Sequence, residues 1–279
     1  MSNAVAAAVL FAAFLHAGWN ALIKRDRDAL IATIGIVTGA AAISLCLLPF
    51  FPAPDAASWP YLGASSVAQI GYYALIAWVY RRSDLGLAYP IMRGAAPLFV
   101  TFANAILFGE VLSPLGLAGV ACISAGVLLI AAGKAKRPDL GATLATALGV
   151  AIVIAFYTVI DGRGVRLSRS PASYTMWIFL LTGLSMGGWA MVRRRKKLLQ
   201  SLRSAYWVPV LGGGGTLLSY GIALWAMTLA PVAAVAALRE TSILFAVLIS
   251  VFVLKEAAGW HRIAAVSLLT VGAVALRLS

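Results

Sequence analysis

The sequence predicts an all-α, polytopic membrane protein whose ten transmembrane helices form two inverted five-helix repeats, residues 1–137 and 138–279. Three observations carry this. Hydrophobic residues make up 62% of the 279 and charged residues only 11%, at a mean hydropathy of +0.94, which would leave a soluble protein too little polar surface. Apolar stretches of roughly 20 residues recur, each enough for a helix to cross a hydrocarbon core. The second half also repeats features of the first at a fixed offset.

Span 1 is Asn3–Ile23. Residues 1–15 carry no basic side chain and the run ends in Lys24-Arg25-Asp26-Arg27, so it reads as a retained span rather than a secretory leader. Span 2 (Ala29–Phe51) stops at Pro52 and Pro54, and span 3 (Trp59–Tyr80) before Ser83-Asp84. Span 4 (Leu85–Phe108) carries Pro90 and Pro97 on either side of Arg93, where they break the hydrogen-bond ladder and free carbonyls. Span 5 (Ser113–Ala132) ends ahead of Pro138-Asp139, and span 6 (Leu140–Ile160) is followed by a connection with breakers from Ser168 to Pro171. Span 7 (Ser170–Val192) runs into Arg193–Lys197. Span 8 (Tyr206–Leu229) contains Gly212–Gly215, with no Lys-Ser/Thr after it and no strand before it, so this is no phosphate loop. Close helix packing or a hinge fits it better, as for Gly35/Gly39 and Gly183/Gly187. Span 9 is Pro231–Leu254 and span 10 Ala258–Leu278. The stretches are too long, and alternate too little, for barrel strands. Cys46 and Cys122 fall inside spans 2 and 5 and read as small packing residues.

A net charge of +13 suggests nucleic-acid binding only until the 22 basic residues are placed. Arg93 and Arg239 are intramembrane. Sixteen fall in odd-numbered connections: Lys24, Arg25, Arg27, Arg81, Arg82, Lys134, Lys136, Arg137, Arg193 to Lys197, Arg203, Lys255 and Arg262. Only Arg163, Arg166, Arg169 and Arg277 lie on the other side. By the positive-inside rule the odd connections are cytoplasmic and both termini face outward. The Arg193–Lys197 cluster then reads as a stop-transfer and headgroup anchor, and no nucleic acid is expected as a partner.

At an offset of 146, Leu85–Ile130 lies over Pro231–Leu276 with Ala88/Ala234, Arg93/Arg239, Leu98/Leu244, Phe99/Phe245, Glu110/Glu256, Ala118/Ala264, Val120/Val266 and Gly126/Gly272 identical. One residue further on, Tyr73 meets Tyr220 and Trp78 meets Trp225. A unit of five spans is odd, so its second copy enters the membrane inverted and the two copies face each other across a binding site. The segments Arg93-Gly-Ala-Ala-Pro97-Leu, Phe108-Gly-Glu110, Arg239-Glu240-Thr241-Ser242 and Leu254-Lys255-Glu256 resemble motifs of EamA-type transporters of the drug/metabolite transporter superfamily. The resemblance spans essentially the whole chain. Within that superfamily, His16-Ala-Gly-Trp-Asn20 and Tyr157-Thr-Val-Ile-Asp161 are most similar to bacterial amino-acid and metabolite exporters, the aromatic amino-acid group included. The resemblance implies a basket of ten helices around a central cavity, lined chiefly by spans 1, 3, 4, 6, 8 and 9, with 5 and 10 peripheral.

Intramembrane ionisable groups are functional candidates by default. Arg93 and Arg239 are each the ninth residue of a span, roughly 12 Å from opposite faces, where the two could pass a carboxylate along a cavity or, equally, lock helix packing. Glu240 points about 100° away from Arg239, so at least one of them needs another partner. Glu240 is a candidate for a substrate ammonium or a proton. Asp161, one turn after Tyr157, reads more safely as a solvated interfacial carboxylate. His16 and Asn20 share a face with Trp19 alongside and should point inward, with a structural histidine the commoner case. His261 lies at the inner interface with no catalytic role. Tyr73, Trp78, Tyr220 and Trp225 offer aromatic surface for a flat apolar side chain or a cation. Trp59, Tyr61, Tyr206, Trp207 and Trp260 suit an interfacial belt.

These features together predict a monomeric secondary transporter of a bacterial inner membrane, exporting small amphipathic metabolites, most plausibly amino acids. A multidrug/proton antiporter lacks its glutamate in span 1, and an anionic-metabolite exchanger would have few cations for its substrate. A channel is a further possibility. An intramembrane protease would have only His16 and His261 to work with and no HExxH. No enzyme activity, cofactor or metal is expected.

Overall fold

The computed structural model describes residues 1–23, 28–82, 85–132, 140–249, 255 and 259–279. The basic residues of the first and fifth connections, Ser83-Asp84, and Leu254 and Glu256 lie outside them. The helices are α1 (Asn3–Ile23), α2 (Ala29–Leu47), α3 (Trp59–Arg82), α4 (Leu85–Phe108), α5 (Pro114–Ala132), α6 (Leu140–Ser168), α7 (Pro171–Arg193), α8 (Arg195–Ser204), α9 (Trp207–Met227), α10 (Val232–Arg239), α11 (Ser242–Leu248) and α12 (Trp260–Leu278). Among the described residues no strand is present.

Seven helices, α1, α2, α4, α6, α7, α9 and α12, are long and apolar enough to cross a membrane. The chain is a multi-pass membrane protein. Its outward surface is apolar, with Phe102 68% and Val192 81% exposed, while Gln69, Arg93, Asn104, Asp161 and Glu240 are buried. That is the reverse of a water-soluble surface. The other expected spans are weaker for visible reasons. The buried face of α3 carries Ser65, Ser66 and Gln69, α5 is shorter, and the ninth is broken.

Three sequence-based boundaries change. Span 6 does not stop at Ile160: α6 continues to Ser168 over 29 residues, carrying Asp161, Arg163 and Arg166 within the helix. The connection after α7 contains a helix, α8, whose Leu198 packs with Ile31, Ile34, Met186 and Ala190 while its basic side chains face out. Span 9 is interrupted at Glu240-Thr241, where the ladder tightens to Glu240 N–H on the Ala237 carbonyl at 2.9 Å and Thr241 N–H on the Leu238 carbonyl at 3.1 Å. No proline causes this. By contrast α4 runs unbroken through Pro90 and Pro97. Cys46 is exposed rather than packed.

Helix contacts follow a rule of exchange. α1 packs on α9 as α6 does on α3; α2 packs on α9 as α7 does on α3; α4 packs on α6 as α10 and α11 do on α1. α2 and α7 pair with each other, as do α5 and α12. The α5–α12 seam is reciprocal in detail: Gly126 faces Ala265 and Leu269, while Gly272 faces Gly119 and Ile123. Glycines let backbones approach closely here and also between α2 and α9, where Gly213 meets Gly39 and Ala40, and between α2 and α7, where Gly183 meets Val37 and Ala41.

Candidate functional site: a polar cavity between the halves

Helical spacing builds the cavity. His16, Trp19 and Asn20 of α1, Gln69, Tyr72, Tyr73 and Ile76 of α3, and Thr216, Ser219 and Tyr220 of α9 are stripes at intervals of three and four residues, and each lines it. Tyr89 and Arg93 of α4, Tyr157 of α6 and Arg239 of α10 complete the wall, with Thr33 of α2 and Phe179 of α7. The cavity volume is about 130 Å³. It lies in the half of the bundle where α1 and α3 end and α2 and α4 begin.

Two guanidiniums enter this space with different partners. Arg93 Nε lies 2.8 Å from Glu240 Oε2, both side chains buried, although that nitrogen and that oxygen are too poorly aligned for a hydrogen bond and make none elsewhere. The sequence expectation that Glu240 cannot serve Arg239 holds because its partner comes from the opposite half. Arg239 instead lies over the Tyr220 ring, its guanidinium carbon 4.9 Å from the centroid. Among the described residues it has no ion pair.

Asp161 is not an interfacial carboxylate. It is fully buried, accepts hydrogen bonds from the Tyr220 hydroxyl, from Tyr174 at 3.1 Å and from Gln69 Nε2 at 3.4 Å, and sits behind the wall rather than on it. The longer α6 is the reason, because Asp161 is two turns inside its end. Trp78 and Trp225 are also corrected: they are 42% and 40% exposed and absent from the cavity wall. Each follows its cavity-lining tyrosine by five residues, about 140° around a helix. His16 stacks edge-on with Trp19, ring centroids 5.0 Å apart, Asn20 Nδ2 donates to the His16 carbonyl at 2.8 Å, and the buried Trp19 indole N–H has no acceptor. Away from the cavity, His261 stacks on Trp260. Gln69, Tyr72, Ile76, Tyr89, Thr216 and Ser219 are missing from the sequence-based set, yet a stripe drawn through Tyr73, Arg93 or Tyr220 reaches each of them.

The end of the bundle beyond Asp161 is held by a clasp. Arg166 donates from Nε to the Met227 carbonyl at 2.7 Å and from Nη2 to Glu110 Oε1 at 2.9 Å and the Ala230 carbonyl at 3.0 Å. Glu110 Oε2 accepts from Val232 N–H at 3.4 Å. Gly109, with φ +64°, ends α4 in the left-handed region and turns Glu110 into this position. The C-terminal end of α4 therefore meets the start of α10. At the same end Arg277 Nε bonds Asn3 Oδ1 at 2.9 Å, which brings the chain termini together.

The sequence pattern of the EamA-like transporter family matches residues 141–278. The second half of the chain, residues 141–278, belongs to this family. A solved crystal structure superposes on the EamA-type chain with a TM-score of 0.75 over 99% of this chain and 98% of that one, at 19% identity. This likeness extends the fold to the first half.

Proposed function

We propose that this EamA-type protein is a secondary transporter exporting small amphipathic metabolites, above all amino acids including aromatic ones, from a bacterial cytoplasm by alternating access. The observation that carries the reading is the cavity wall: Tyr72, Tyr73, Tyr89, Tyr157, Phe179 and Tyr220 supply aromatic surface beside two guanidiniums and one paired carboxylate. Aromatic faces suit an apolar side chain. Charges of both signs suit a zwitterion. A multiply charged anion is poorly served, because Glu240 already neutralises one of the two cations.

Ten spans in two inverted five-helix repeats are supported by the exchangeable helix contacts and by repeat-equivalent helices meeting head to tail, α4 with α10 at Glu110 and Val232 and α5 with α12 along their glycines. In this arrangement the basic α8 end faces the cytoplasm and the termini face outward. The cavity lies toward the cytoplasmic side and the Arg166 clasp closes the other. Counterflow of radiolabelled amino acids in proteoliposomes tests the proposal. Accelerated exchange of at least one amino acid is expected, and the absence of flux for all of them rejects it.

A further inference from the structure

We propose that Arg239, and not Arg93, is the seat for a substrate carboxylate, so that the site selects molecules carrying a carboxylate beside an apolar side chain. This rests on the transport reading and narrows it. The two arginines are mates in the internal repeat, but the position equivalent to Glu240 is Gly94. One carboxylate therefore serves two guanidiniums. The Arg93–Glu240 contact at 2.8 Å assigns it to Arg93, which leaves Arg239 on the cavity wall with no ion pair among the described residues.

The surroundings of Arg239 favour a ligand there. Its guanidinium carbon lies over the Tyr220 ring, 4.9 Å from the centroid, and the hydroxyl of that ring is tied to the buried Asp161, itself fixed by Tyr174 and Gln69. Four helices, α3, α6, α7 and α9, thus hold the ring on which the guanidinium rests. A planar fork held over a fixed aromatic ring by a cation–π contact loses little freedom when it takes two carboxylate oxygens. Desolvation in the cavity strengthens that contact. The break between α10 and α11 falls directly after Arg239, so the guanidinium sits where the helix gives way to a turn rather than in mid-helix.

Thermal unfolding of the full chain in detergent, read against four probes, tests the assignment. L-Phenylalanine and 3-phenylpropionate carry the carboxylate; phenylalaninamide and phenethylamine do not. The two carboxylates are expected to raise Tm at concentrations at least about tenfold lower than the other two, as for a hydrogen-bonded charge. Arg239→Ala should erase that preference and Arg239→Lys keep part of it, while Arg203→Gln on the exposed face of α8 leaves it intact. Should Arg239→Ala not fold, Arg239→Gln replaces it with the same expectation. If the carboxylates protect and loss of Arg239 leaves the preference unchanged, this assignment fails while amino-acid transport stands. If none of the four protects and counterflow shows no amino-acid flux, the assignment and the reading beneath it fail together.

Discussion

Glu240 shows how much a single side chain depends on the rest of the fold. Its sequence neighbour Arg239 is out of reach, and the buried partner Arg93 comes from the other half of the chain. Removing one member leaves the other as an uncompensated buried charge, so Arg93→Ala should cost about 3–5 kcal/mol. The apolar pair Arg93→Met with Glu240→Leu should cost less than either change alone, because no charge is then stranded. Detergent melting of the three variants decides it, and losses that simply add would contradict a direct pair. Gly109 is the second case. Its φ of +64° penalises any Cβ, so Gly109→Ala should lower stability by about 1–2 kcal/mol and weaken the Glu110 contact with Arg166. At this scale the sequence was readable where period and chemistry agreed. Tyr73 and Tyr220 are on the wall, but Trp78 and Trp225, chosen with them by repeat matching alone, were lost to a turn of 140°. Asp161 was misread because its environment is set by Tyr174, Tyr220 and Gln69, which lie on three other helices.

Elements were legible to the extent that hydropathy defined them. The starts of α1, α2, α4 and α6 lie where the apolar runs begin. The end of α6 does not, since Arg163 and Arg166 look like a connection, whereas in the fold they stay helical and Arg166 is received by Glu110 and the carbonyls of Met227 and Ala230. The amphipathic α8 was hidden for a similar reason: its basic residues dominate the composition, and only Leu198 and Leu202 reach the core. The break after α10 has no proline to announce it, whereas α4 stays one helix through Pro90 and Pro97, which remove ladder hydrogen bonds without ending it. Packing between elements yields its own expectation. Gly213 meets the Gly39 backbone, so Gly213→Leu should force α2 and α9 apart and reduce the yield of folded protein on size-exclusion chromatography, while Gly63→Leu, with open space around it, should leave the elution profile unchanged.

At the scale of the whole molecule, the clasp joins α4 of the first half to α6, α9 and α10 of the second at one end, and the cavity occupies the other. Arg166→Gln removes the charged tie and leaves carbonyls of the α9–α10 turn underserved. Hydrogen exchange over Met227–Val235 should then accelerate, and unchanged protection there would mean the tie is not limiting. The proposed inverted relation between halves rests in the sequence on the offset of 146, where Arg93/Arg239 and Gly126/Gly272 fall in one register. How the halves divide their charges was not, since Glu240 has no mate. The mutual seam of α5 and α12 has a further consequence. Any operation that swaps the roles of the two halves turns Gly126 on Ala265 into Gly272 on Gly119, so this seam maps onto itself. Under the proposed alternating access it would serve as a fulcrum: the rest of the basket would tilt about it, first toward one face and then the other, while its own interlock stays the same. At one end of this seam a Cβ added at Gly116 would lie 3.4 Å from Ser279 Oγ, so a disulfide at Gly116→Cys with Ser279→Cys, made after replacing Cys46 and Cys122, should leave counterflow running, whereas bridging Glu110→Cys to Val232→Cys across the clasp with a bifunctional thiol reagent should stop it.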